Sequence, residues 1–314
     1  MMQIITIVVP FFGLIGLGLL VVKLRYVSQE TGRYVAEFAV KIAMPAFIFQ
    51  AIQTIDEMPG APELIAAAYF SAVAVTWLLA ALGTWLVLQR PQTDAASLAM
   101  ASTFSNSVML GVPLAIMAFG PEAAAPSALL ISLDTPLLWI FATLHYEAFR
   151  SERTGSLFGA LGAIFMSLLK NPIVASVLIA IAFKFAGLQL PELADKTVTL
   201  LGQAAVPSML VTLGMSIATY KMAGQAPTLG LISLLKLVIM PALAFVFAAY
   251  VFELPKLWTA IIVLFAALPV GANAYLFAVK YEAAVGSVST SVAVSTLISI
   301  FGITGLLYVL TLYV

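Results

Sequence analysis

Between short polar breaks this chain stays apolar for about twenty residues or more at a time, the length an α-helix needs to cross a hydrocarbon core. The runs fall near residues 4–22, 34–54, 63–88, 95–119, 123–148, 171–187, 194–219, 228–252, 257–280 and 285–312. Inside a bilayer no water satisfies backbone N–H and C=O groups, so such runs fold as helices that bond internally. Composition agrees: 63% of the 314 residues are hydrophobic and only 9% are charged. A soluble domain carries about 25% charged residues. No polar stretch is long enough to form a separate soluble domain. In Met1 to Val22 the first positive charges, Lys23 and Arg25, follow the apolar run, so it reads as a first transmembrane helix and not as a removed leader.

Fourteen Lys and Arg balance 14 Asp and Glu, so net charge points to no nucleic acid or other polyanion as partner. Without cysteine there is no disulfide framework, thiolate metal site or catalytic thiol. No nucleophile elbow, phosphate loop or His-Glu-x-x-His motif occurs, so neither an enzyme nor a bound metal or cofactor is expected. The expected surroundings are the lipid bilayer of the cell membrane.

Charge placement gives the orientation. Lys23, Arg25, Arg33, Arg90, Arg150, Arg153, Lys170, Lys221 and Lys280 share one set of alternate connections, whereas only Lys184, Lys196 and Lys256 occupy the other. The positive-inside bias puts the first set in the cytoplasm and both termini outside. Ten spans then divide at a short central connection into 1–149 and 150–314, each of five. Because five is odd, the halves have opposite orientations, which is an inverted repeat. After the central connection, Ser156 to Leu169 reads as an interfacial helix.

Proline, glycine and asparagine interrupt corresponding apolar runs. The fourth contains Ser105-Asn106-Ser107 and then Gly111-Val112-Pro113; the ninth contains Pro269-Val270-Gly271-Ala272-Asn273, with Tyr275 beyond. Breaks are expected at Pro113 and Pro269, 68 residues after Pro45 and 62 after Pro207. Paired interruptions at corresponding places in two halves are a pointer to a transporter's binding site. Freed backbone groups and the amides of Asn106 and Asn273 suit a carboxylate, and freed carbonyls suit Na⁺ or a water chain. The plainer alternative is proline kinking, with Ser102, Thr103, Ser105 and Ser107 as helix-packing glue.

Ionisable residues within spans are functional by default. Asp134, midway along the fifth run, is a candidate to carry a coupling proton. Lys41 is either a second coupling candidate or a partner of Glu37 four residues earlier. Lys236 either snorkels from one end of its span or faces the core. His145 with Glu147 reads as an interfacial residue near a span end, not a switch.

Several elements together resemble the auxin efflux carrier family: Val9-Pro10-Phe11-Phe12 with Leu17-Gly18, Met44-Pro45-Ala46-Phe47-Ile48-Phe49, and Asn106 ahead of Gly111-Val112-Pro113-Leu114. Lys170-Asn171-Pro172-Ile173 and Pro207 ahead of Gly214-Met215 extend the likeness essentially end to end. The resemblance implies an all-α membrane fold, akin to bile acid:sodium symporters, with a scaffold and a transport domain. It also implies fourth and ninth helices that cross at their prolines. The substrate implied is a small carboxylate, of the malonate or malate kind, moved by an elevator motion and bound at Pro113 with Asn106 and Pro269 with Asn273. H⁺ or Na⁺ is the expected coupling ion and a homodimer the expected assembly, by analogy of architecture. An uncoupled facilitator or channel and a ligand-binding membrane sensor are the competing expectations.

Overall fold

The computed structural model describes residues 2–53, 62–149, 172–218 and 225–314. Among them the regular structure is helical, with one isolated antiparallel bridge between Ser105 and Val270. Helix α1 is Met2–Lys23, α2 occupies 29–53, and α3 is Pro62–Val87. Helix α4 is split into α4a, Gln92–Thr103, and α4b, Ser107–Phe119; α5 is Pro121–Phe149. Then follow α6, Pro172–Phe185, α7, Glu192–Ile217, and α8, Ala226–Val251. Helix α9 is split into α9a, Lys256–Ala267, and α9b, Ala272–Lys280, and α10 is Val285–Tyr313. Helices α3, α5, α7, α8 and α10 are each long and apolar enough to cross a membrane, so this is a multi-pass helical membrane protein. Asp56, Glu57, Arg150, Arg153, Lys170, Asn171, Lys221 and the expected interfacial stretch 156–169 lie outside the described residues.

Element boundaries recur along the chain. Those of α3, α4a and α5 return in α8, α9a and α10 at a constant displacement of 164 residues (62 to 226, 87 to 251, 92 to 256, 103 to 267, 121 to 285, 149 to 313). Even the turn between helices is copied, with positive φ at Gln89 (51°) and again at Glu253 (48°).

Prolines act here in two ways. Pro45, Pro113 and Pro241 each stand two residues after a five-residue π-helical stretch: Ala39–Ala43, Ser107–Gly111 and Leu235–Ile239. A proline ring clashes with the carbonyl four residues back and leaves it without its amide partner. Widening the preceding turn to i→i+5 bonding moves that carbonyl aside, so the helix continues. The expectation that the fourth run breaks at Pro113 is therefore corrected. The chain leaves helical geometry earlier, at Phe104 (φ −72°, ψ 118°), and α4b runs through Pro113 unbroken. Pro269 acts in the other way: it forces the residue before it out of the helical region, and Leu268 adopts φ −61°, ψ 152°.

The described chain forms two compact units, built from residues 2–53, 108–132 and 172–218, and from 62–107, 133–149 and 225–314. In the first unit, α1 packs along α7 at glycines. A Cβ on Gly18 would lie 1.9 Å from the Val211 carbonyl oxygen, and one on Gly214 would lie 1.9 Å from that of Ile15. Only the missing side chains let these backbones approach, the small-residue packing that holds helices together where lipid removes the hydrophobic drive. The same unit ties α2 to α6 and α7 through Gln53 donating to the Ala180 carbonyl and Gln50 to the Asp195 carboxylate. In the second unit, α4a and α9a form the centre: residues 95–103 and 259–267 are all buried.

Gly214→Ala is expected to destabilise the protein by about 1–3 kcal/mol, the usual cost of overpacking. Gly302→Ala, with open space around its Cβ position, is expected to leave the unfolding temperature in detergent unchanged. Equal melting of the two variants would refute the close approach of α1 and α7.

Candidate substrate site at the paired helix breaks

The site is built where α4a and α9a end, inside the second unit. Phe104 to Asn106 and Pro269 to Gly271 run as two extended strands in opposite directions. The Asn106 N–H donates to the Pro269 carbonyl at 2.9 Å, and the Gly271 N–H donates to the Phe104 carbonyl at 3.0 Å. A Cβ on Gly271 would lie 2.6 Å from both the Ser105 carbonyl oxygen and the Phe104 ring, so only glycine allows this approach. Within the same break the Val270 N–H donates to Ser295 Oγ of α10 at 3.0 Å.

A helix end leaves its last carbonyls without intrahelical partners. At the end of α9a, the Phe265 carbonyl accepts from Ser105 Oγ at 2.7 Å and the Ala266 carbonyl accepts from Lys236 Nζ at 2.7 Å. Lys236 also donates to Ser105 Oγ at 2.7 Å and points a third proton toward Met240 Sδ at 3.4 Å. Its three donors are thus directed, and the side chain is 0% exposed. A cation at a helix C-terminus also meets the negative end of the helix dipole.

Asp134 completes the cluster, 2% exposed. Its Oδ1 accepts from Tyr69 OH and its Oδ2 accepts from Ser107 Oγ, both at 3.4 Å. Tyr69 OH lies equally 3.4 Å from Ser105 Oγ. Asp134 and Lys236 are therefore joined through Tyr69 and Ser105, not by direct contact. Asn106 sits beside them on the break, 8% exposed, and its side-chain amide makes no hydrogen bond among the described residues.

Of the residues expected at a site, Ser105, Asn106, Asp134, Pro269 and Asn273 belong to this unit. Asn273 is half-buried at the second position of α9b, and the half-buried Tyr275 already has a partner. Gly111 and Pro113 are buried in α4b, in the first unit. Lys41, also there, forms an exposed ion pair with Glu37, as i,i+4 spacing allows. Ser102 and Thr103 are bonded to the carbonyls of Leu98 and Ala99 in their own helix and have no hydroxyl proton to spare. His145 is held between Trp77 Nε1 and Gln92 Oε1, each at 3.1 Å, a satisfied residue at a span end. Sequence reading left Lys236 undecided and passed over Tyr69. The readable signal for Lys236 was a lysine four residues ahead of Met240-Pro241 inside an apolar run.

This arrangement defines a helical membrane protein whose two broken helices bring buried polar groups together at their breaks. The profile of the membrane transport protein family matches residues 3–156 and 150–307. A Rhizobium meliloti (strain 1021) protein described as "Putative malonate transporter" is 27% identical over 312 residues, covering 99% of this chain and 97% of that protein. The chain belongs to this family, that of the auxin efflux carriers, and is a transporter and not an enzyme.

Lys236→Ala leaves Asp134 as an unbalanced buried charge and is expected to cost about 3–5 kcal/mol. Lys41→Ala, on an exposed pair, is expected to change stability little. Thermal unfolding of the two variants side by side checks this; equal losses would contradict the burial of Lys236.

Proposed function

We propose that the protein is a secondary active carrier of small organic anions, mono- or dicarboxylates of the malonate and malate kind, with auxin-like acids as further substrates. The observation that carries this reading is Asn106: a buried residue whose amide makes no hydrogen bond among the described residues, set on a paired helix break, offers two donors and an acceptor where a carboxylate fits. Pro269, Asn273, Ser105 and Tyr275, all in the second unit, make up the rest of the proposed site, with Asp134 as coupling residue and H⁺ or Na⁺ as coupling ion. The relative described as a malonate transporter supports the substrate class.

The constant displacement between α3, α4a, α5 and α8, α9a, α10 supports ten spans in two inverted five-helix repeats, 1–149 and 150–314, because a duplicated unit reproduces its boundaries. Division of the chain into two compact units, each drawn from both halves, is what a scaffold and a moving transport domain require. Alternating access of the elevator kind follows from that reading, in the cell membrane with both termini extracytoplasmic.

Uptake of malonate, malate and indole acetate into proteoliposomes tests the proposal. Counterflow against preloaded acid is expected, as for a carrier; flux without counterflow would mark a facilitator or channel instead. Asn106→Ala is expected to lose the charge-assisted hydrogen bond, about 1.5–3 kcal/mol or roughly ten- to hundredfold in apparent affinity. Asn273→Ala is expected to weaken uptake in the same direction. Unchanged uptake of every transported acid in both variants would remove the asparagines from the site.

A further inference from the structure

The cluster of Lys236, Ser105, Tyr69, Asp134 and Ser107 is buried, and two of its members, Ser105 and Ser107, flank Asn106 on the break. We propose that Lys236 is the resident cation of this site, and that a proton taken up by Asp134 unmasks its charge for the substrate carboxylate. Transport is then driven by protons and needs no Na⁺. This inference rests on the carboxylate reading of Asn106.

Charge balance carries it. With Asp134 ionised, its negative charge and the positive charge of Lys236 cancel, and both are taken out of water, at 2% and 0% exposure. A carboxylate arriving at Asn106 then adds an unbalanced negative charge in a medium where such a charge costs several kcal/mol. With a proton on the Asp134 carboxyl, the pair carries one net positive charge, which balances the one carboxylate held at Asn106; the second carboxylate of a dicarboxylate lies away from the pair. Proton and anion therefore favour each other's binding, and by linkage the effect is reciprocal. Among the described residues, the titratable groups facing Asp134 are Tyr69 from α3 and Lys236 from α8. Tyr69 is placed to follow the proton: its hydroxyl is 3.4 Å from both Asp134 Oδ1 and Ser105 Oγ, so it donates to the carboxylate in one state and to Ser105 in the other.

The case against a Na⁺ requirement is geometric. The end of α9a exposes carbonyls and a negative dipole end, which is where a broken membrane helix gathers a cation. Here the Lys236 ammonium already occupies that place, 2.7 Å from the Ala266 carbonyl oxygen and 2.7 Å from Ser105 Oγ. Lys236 is ten residues inside α8, whose bounds are Ala226–Val251, so its charge is tethered at depth and not supplied from solution.

The test is calorimetric titration of purified protein with malonate, in buffers of different ionisation heat, at a pH where free malonate is fully ionised. Wild type is expected to take up about one proton per malonate bound, equally in sodium chloride and in choline chloride. Asp134→Asn, a mimic of the protonated state, is expected to bind malonate with no proton uptake. Lys236→Gln is expected to bind at least about tenfold more weakly, with no rescue by Na⁺. Malonate bound by wild type without proton uptake, or only in sodium, overturns the inference and leaves the carrier reading standing. If malonate, malate and indole acetate all neither bind nor enter proteoliposomes, the carrier reading falls and the inference with it. Wild-type binding without proton uptake overturns the inference even if a variant fails to fold.

Discussion

The reciprocal pair of backbone hydrogen bonds between Asn106 and Pro269 and between Gly271 and Phe104 is what allows two helices to be interrupted in a membrane protein. Each interruption frees donors and acceptors that lipid has no means to satisfy. Extended strands from the two interrupted helices satisfy one another, and Ser295, Ser105 and Lys236 satisfy three further backbone groups. Gly271 sets the separation at which this exchange works, because any side chain there meets Phe104 and Ser105. The site is thus a by-product of backbone accounting: polar groups gather where the helices fail, and one of them, the Asn106 amide, is left over.

Satisfying the free carbonyls with an ammonium has a consequence that a neutral donor would not have. A hydroxyl at the end of α9a would close the hydrogen-bond account and leave the local charge at zero. Lys236 closes it while adding a charge that must be balanced, and Asp134 balances it through Tyr69 and Ser105. Once two opposite charges are buried and linked through hydroxyls, any third charge entering the region is coupled to the protonation of the first two.

Much of this was legible in the sequence, and the failures have definite causes. Apolar run lengths located the helical stretches to within a few residues, because the energetic demand for internally bonded backbone is large and local. Asn106 and Asp134 stood out because a polar group in an apolar run is expensive. Break position was misread in α4 because a proline was taken as the point of failure. A π-helical turn before Pro113 accommodates the ring, while Phe104, Ser105 and Asn106 leave the helix without any proline. Lys236 and Tyr69 were not legible because one residue of helix rotation separates a snorkelling lysine from a fully buried one. Rotation is decided by packing against α4a and α9a, which no single run of sequence reports.

The 164-residue displacement also shows what duplication does and does not supply. Applied to the site, it places Asn106 opposite Val270, Lys236 opposite Ala72, Tyr69 opposite Ser233 and Asp134 opposite Ile298. At this register Asn106 and Asn273 are not counterparts, although both lie near a break. Backbone geometry is repeated; charge is not. A second lysine and aspartate at the mirrored positions would add another buried pair whose desolvation nothing repays. In the proposed mechanism, the described pair beside the Asn106 amide is where a proton and a carboxylate neutralise each other. The recurring helix boundaries therefore frame a set of buried charges that does not recur with them.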